Sequence, residues 1–459
     1  MTTLISGSAP AARGAATREG RRLDLDVVRG LAIVLALGWH FSKHPTGNVV
    51  LDALTRPGQV FGWAGVDLFF VLSGFLVGRL VLTEHARTGT FDGRRFTARR
   101  LLKLWPVLYL FLAVQAVAGP EDRSTYLWQN ALHLQNYVGT SLTHLWSLSV
   151  EEHFYLALAV FFPLFARRRG SPRLLAGILV AILAGALALR FWAALHGAGD
   201  VELQWRTHFR ADSLAAGVLL ALVSVHWPER FEALRRQRLL LAGVLALGGV
   251  WLVEIGKEGF AGSTLGYTVA YVTAAALLLL VYGAEWVPRA RLISEPVAFL
   301  GRYSYGIYIW HVFAAEIVMD LLGRPLGSTE PWAVVVRYGV SFAVGYVATV
   351  VVEKPILRLR DHVLPPRERQ LSRRVPGGRV PPATSSTAAS RSAVSATCWG
   401  NGPLETRATP SSCSSRVGSE APGTEMSEIR RGPSPSTSVS ISSRATTPGT
   451  KTTRAPASR

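Results

Sequence analysis

Long apolar blocks, each broken by only a few polar residues and separated by short loops, run from Leu23 to about Arg360. Ten of them approach bilayer-spanning length, at about 25–42, 60–82, 104–118, 146–166, 174–195, 208–227, 239–255, 265–284, 297–320 and 332–353. The pattern predicts an all-α membrane protein with about ten transmembrane helices. The third block is short, bounded by Lys103-Leu104-Trp105-Pro106 on one side and Gly119-Pro120 on the other.

Loop charge adds orientation to this picture. Arg13, Arg18, Arg21 and Arg22 precede the first block, and every second loop thereafter is basic, beginning with Arg94, Arg95, Arg99, Arg100 and Lys103 and continuing with Arg167, Arg168, Arg169 and Arg173. The positive-inside rule then predicts both termini in the cytoplasm, with residues 1–22 a cytoplasmic segment and 23–360 the membrane domain. No early stretch has the order of a cleavable signal peptide, so the first block is expected to serve as the insertion signal.

Composition changes the picture little. The 459 residues are 49% hydrophobic and 17% charged, and the net charge of +19 follows from the basic loops and a basic tail, so a lipid bilayer and not nucleic acid is the expected partner. Residues 361–459 are rich in Ser, Thr, Pro and Arg without sustained apolar periodicity and are expected to be disordered. Cys398 and Cys413 both fall there, away from any His at ligand spacing, and neither disulfide nor metal site is expected.

The candidate chemistry lies in the polar residues inside the apolar blocks, where an ionisable group is costly and usually functional. Arg29 and His40 share a helix face, since eleven steps of about 100° nearly close three turns, yet stand about 16 Å apart along the axis. With the topology above, His40, Asp67, Glu151 or Glu152, Arg210 with Asp212, and His311 are all expected at similar depth in the outer half. At the cytoplasmic end, Arg29, Arg79, Arg99, Arg100 and Lys103 form a second, purely basic set suited to phosphate. Ser73 and Gly74 read most simply as small residues that let two helices approach.

Seven segments in order resemble the acyltransferase 3 family of integral-membrane acyltransferases: an Asp26-x-x-Arg29-Gly30 opening with His40 eleven residues after the Arg, GVDLFFVLSGFL, FTARRLLKLWPVLYL, HLWSLSVEEHFYL, FRADSLAAGVLLA, GRYSYGIYIWHVF and VVEKPILRLR. The resemblance implies a ten-helix fold that moves an acyl group, acetyl or short-chain, from acyl-CoA to a hydroxyl of a sugar, glycan or glycosylated metabolite. Arg29 and His40 match the family's essential Arg-(ten residues)-His positions. Its Arg-x-x-Arg element falls on Arg100-Leu-Leu-Lys103, where Lys keeps the charge but not the bidentate geometry. Many members carry an SGNH-type hydrolase domain after the membrane core; the tail here lacks the composition for one, and transfer by the membrane unit alone is expected.

On this reading acyl-CoA is a donor substrate and no bound cofactor is expected. A hydroxyl needs a positioned base to attack a thioester, and His40 is assigned that role. A carboxylate at matching depth, Glu151, Glu152 or Asp67, is expected to hold its other ring nitrogen. The basic set would bind the donor phosphates. A secondary transporter exporting a sugar-like or anionic solute is the alternative, with the converging charges as its translocation site.

Overall fold

The computed structural model describes residues 22–119 and 127–365. The expected disorder of the tail, and its two cysteines, lie outside the described residues. No strand occurs among the described residues, and each of the ten predicted blocks falls on a helix. In chain order the principal helices are α1 (Leu23–Phe41), α2 (Val49–Phe61), α3 (Gly65–Thr88), α4 (Gly93–Ala118), α5 (Trp146–Arg167), α6 (Pro172–Leu195) and α7 (Thr207–His226). They are followed by α8 (Arg238–Ile255), α9 (Tyr267–Val281), α10 (Arg291–Leu321), α11 (Pro331–Ala348) and α12 (Lys354–Val363).

Eight helical stretches among the described residues are long and apolar enough to cross a membrane, and the protein is a multi-pass membrane protein. Neither α1 nor α10 is among the eight, because acidic and basic residues in α1 and the Tyr, Trp and His content of α10 lower their apolarity. These two pack closely on each other. Gly30 and Gly301 make that approach possible: a Cβ at Gly30 would overlap the Val297 carbonyl, and one at Gly301 the Asp26 carbonyl. The polar residues of α1 and α10 are thus shielded where the two helices share a buried face, the general solution for ionisable groups in a bundle.

Packing of α3 on α7 follows the same logic. Asp67 meets Arg210 at an offset of 143 residues, and Gly74 meets Gly217 at the same offset, so the two helices run parallel in register. A Cβ at Gly74 would overlap the Leu214 carbonyl, so the small-residue reading of Gly74 describes its packing.

Two elements depart from expectation. The basic segment before residue 104, expected as loop, is helical: α4 begins at Gly93, with the Asp92 carboxylate capping it by accepting from the Arg95 amide at 3.0 Å. Its charged first half was too polar to register as part of a span. Between α1 and α3 an additional helix, α2, was not expected; it is amphipathic, is capped by Asn48, and passes Gly58 directly over Gly38 of α1.

Candidate active site

Two cavities with polar linings lie along α1, one beside Arg29 and one beside His40. Helical period builds both. On α5, Ser147, Glu151 and Tyr155 recur every fourth residue and face the first cavity; Arg100 and Lys103 of α4, at i and i+3, enter it from the other side. Arg29, Ser73, Ser304, Tyr305 and Tyr308 complete its polar lining.

Charge in the Arg29 cavity is unbalanced. Arg29 pairs with Asp26 at 3.1 Å, but Arg100 and Lys103 make no ion pair among the described residues, and Glu151 is the only carboxylate among the lining side chains. The Arg100 guanidinium lies 4.9 Å from the Tyr155 ring centroid. Tyr155 donates to Glu151 Oε2 at 3.0 Å, so its oxygen must accept from the Ser73 hydroxyl that it also contacts, leaving the Ser73 lone pairs toward the cavity. Three cations around one engaged carboxylate suit an anionic ligand.

The expected basic set divides. Arg29, Arg100 and Lys103 share the cavity, whereas Arg99, one residue from Arg100 and about 100° around the helix, turns to α12 and pairs with Asp361 at 2.9 Å. Arg79 donates to the Tyr282 hydroxyl and stands over the Phe75 and Tyr282 rings. Both fall outside the cavity lining.

The His40 cavity has a different character. Trp39, Trp63, Trp146 and Trp205 line it together with His144, Gln204 and Lys257. His40 is half-buried, with its ring centroid 5.0 Å from that of His311, and His144 lies 5.2 Å from His311 on another side. His311 Nδ1 stands 2.6 Å from the Tyr308 carbonyl, which can only accept, so Nδ1 carries the proton. His311 Nε2 is buried with no hydrogen-bond partner among the described residues.

Among the described residues no carboxylate hydrogen-bonds His40, in contrast to the expected pairing with Glu151, Glu152 or Asp67. Glu151 faces the Arg29 cavity, and Glu152, about 100° round the helix, is buried outside both cavity linings. Asp67 accepts from Arg210 at 2.6 Å and from Ser213 Oγ at 2.7 Å. Asp212 accepts from Arg190 at 2.7 Å. The polar groups expected at one depth therefore separate into a histidine cluster, two buried ion pairs and the Glu151 cavity. Low dielectric is the reason: a buried Asp and Arg neutralise each other at the nearest opportunity and leave nothing over for a distant imidazole.

The two cavities share a wall formed by Val66 and Tyr308, which line both. A family model for an acyltransferase domain matches residues 22–352. The chain belongs to the acyltransferase 3 family. Similar proteins include the peptidoglycan O-acetyltransferase OatA of Listeria monocytogenes, 24% identical over 74% of this chain and 57% of its own length. The putative peptidoglycan O-acetyltransferase YrhL of Bacillus subtilis is 26% identical over 72% of this chain and 54% of its own. The O-acetyltransferase OatA of Staphylococcus aureus is 26% identical over 54% and 45%. The chain spans about half the length of these curated relatives. No solved structure matches it.

Within this acyltransferase 3 chain, several residues of the site and of the buried network beside it escaped sequence reasoning. Arg190 lies inside a predicted span and answers to the same rule that singled out Arg210. His144 and Lys257 sit just outside helix ends, where a polar residue is unremarked, and Tyr155 and Tyr308 carry no signal that separates them from other core aromatics.

Proposed function

We propose that the protein transfers an acyl group from acyl-CoA to a sugar hydroxyl where the two cavities meet, at the edge of the wall they share. The observation that carries this reading is the wall itself: Val66 and Tyr308 stand between a cavity with three cations and a cavity with His40. Arg29, Arg100 and Lys103 bind the phosphates of the donor, and the thioester reaches toward Tyr308. In the second cavity the acceptor hydroxyl gives its proton to His40 as its oxygen attacks the thioester carbonyl. The carbon–sulfur bond then breaks and CoA leaves as the thiolate.

His311 takes the positioning role that a carboxylate was expected to play. Its Nδ1–H is held by the Tyr308 carbonyl, which leaves Nε2, unpartnered among the described residues, to accept from an N–H of His40 when that ring, 5.0 Å away between centroids, turns to it in the reaction. Four tryptophans around His40 suit a sugar, whose C–H faces pack on indole rings. Asp67, Arg210, Arg190 and Asp212 act as a structural network between α3, α6 and α7. Their mutual pairing removes the unpaired converging charges on which a transporter reading relied. The Arg29 end faces the cytoplasm in this proposal, both termini lie on that side, and ten helices cross the bilayer.

The test is direct. Membranes containing the protein, supplied with acetyl-CoA and candidate glycans or glycosides, should yield an acceptor heavier by one acetyl group and release one CoA per transfer. His40→Gln in the same membranes should give neither. Transfer by the Gln variant within a few-fold of wild type would remove His40 as the base, and no transfer by wild type to any glycoside would remove the function.

A further inference from the structure

Lys257 enters the His40 cavity from the segment after α8 and makes no ion pair among the described residues. Its ammonium group lies 5.0 Å from the Trp39 ring centroid, and its hydrogen bond is a long one, 3.4 Å, to Gln204 Oε1. Asp200 and Glu258 are near enough to favour its charge, but neither is seated on it. Asp200 accepts from the Gly259 amide at 3.1 Å, and Glu258 is exposed; neither forms an ion pair with Lys257. Lys257 is half-buried, so a charge that is only partly solvated sits opposite His40 among Trp39, Trp63, Trp146 and Trp205. A positive group at that place is a cost to the empty cavity unless something negative fills it.

We infer that the His40 cavity takes a carboxylate-bearing sugar, with the indole rings packing on its C–H faces and Lys257 binding its acid group. The inference rests on the proposed function, since it makes the acceptor an acidic sugar. Placing the acid on Lys257 sets the ring in one orientation and selects which hydroxyl reaches His40. Gln204 is within reach of the same ammonium group and serves as its partner when the cavity is empty.

The experiment is equilibrium binding of methyl β-D-glucuronide and methyl β-D-glucoside to the full chain in nanodiscs, followed by saturation-transfer NMR in the absence of acyl-CoA. The glucuronide should bind about tenfold more tightly than the glucoside, the effect of one charge-assisted hydrogen bond in a partly desolvated site. Lys257→Gln should bring the ratio near one, and Lys257→Arg should keep most of it. Thermal unfolding of each variant verifies that the fold is intact. Equal binding of the two glycosides by wild type, an unchanged ratio in Lys257→Gln, or no binding of either glycoside would each overturn the inference. A charge preference in binding, together with no acetyl transfer to either sugar, would sustain the inference and sink the proposed function instead.

Discussion

Tyr308 donates a 2.6 Å hydrogen bond to the backbone carbonyl of His144. A carbonyl only accepts, so the Tyr308 oxygen must accept in turn from Ser147 Oγ at 2.7 Å, and the ring is held on two sides between the cavities. The side chain that separates donor from acceptor is therefore fixed by hydrogen bonds, while its own carbonyl fixes the tautomer of His311.

Removing this wall should uncouple the reaction. Tyr308→Ala should lower acyl transfer at least tenfold and raise the release of free CoA without acceptor, because water gains access to the thioester. Tyr308→Phe keeps the ring, loses both bonds to Ser147 and His144, and should cost about 1 kcal/mol of stability with a smaller loss of transfer. Thiol release and acceptor mass, followed in parallel, check both. A Tyr308→Ala protein that transfers normally would show that the wall has no part in the path.

Phosphate binding should follow cavity membership and not charge alone. Arg100→Ala and Lys103→Ala should each raise the KM for acyl-CoA about tenfold or more, the scale of a lost charge-assisted hydrogen bond. Arg79→Ala and Arg99→Ala, whose side chains pair with Tyr282 and Asp361, should leave it within about threefold. Direct titration of the four variants with acyl-CoA distinguishes these sets, and equal effects from all four would reduce the cavity to a general basic surface.

His40 and His311 should separate chemistry from positioning. His40→Gln should lose about a hundredfold to ten-thousandfold in kcat, with donor affinity retained. His311→Asn can still donate to the Tyr308 carbonyl but lacks an atom at the Nε2 position, while His311→Gln can place an acceptor there. A kcat that falls in the Asn variant and recovers partly in the Gln variant, with KM for acyl-CoA unchanged, supports the positioning role. Equal loss in both, accompanied by lowered thermal stability, would assign His311 to packing.

Breaking one buried ion pair should be worse than removing it whole. Arg210→Met leaves Asp67 buried without its cation and should destabilise the detergent-solubilised protein by about 3–5 kcal/mol. Asp67→Leu combined with Arg210→Met should recover a large part of that loss. Thermal unfolding of the single and double variants checks it; a double variant no more stable than Arg210→Met alone would show that the pair does more than neutralise charge.

Gly74→Val should prevent α3 from reaching α7, because the added side chain meets the Leu214 backbone and not a flexible group. Gly177→Val, at a position with open space around it, is the matched control. Loss of folded protein in the first and near-normal yield in the second, judged by size-exclusion profiles in mild detergent, is the expected outcome.

The helical multi-pass class, the family and the shared helix face of Arg29 and His40 are legible in the sequence, because bilayer length and helical period are properties of consecutive residues. The same local rule found Arg210 and Asp212, and it extends to Arg190. Depth along a span is a local quantity too, and it placed His40, Asp67, Glu151 and His311 at one level. Which of them meet is not local. Rotation of each helix is decided by packing, and the close approaches at Gly30, Gly74, Gly217 and Gly301 turn Asp67 to Arg210 and bring His311 rather than a carboxylate to His40. Tertiary structure alone also divided Arg99 from Arg100, one step of the helix apart, sending the first to Asp361 and the second into the cavity.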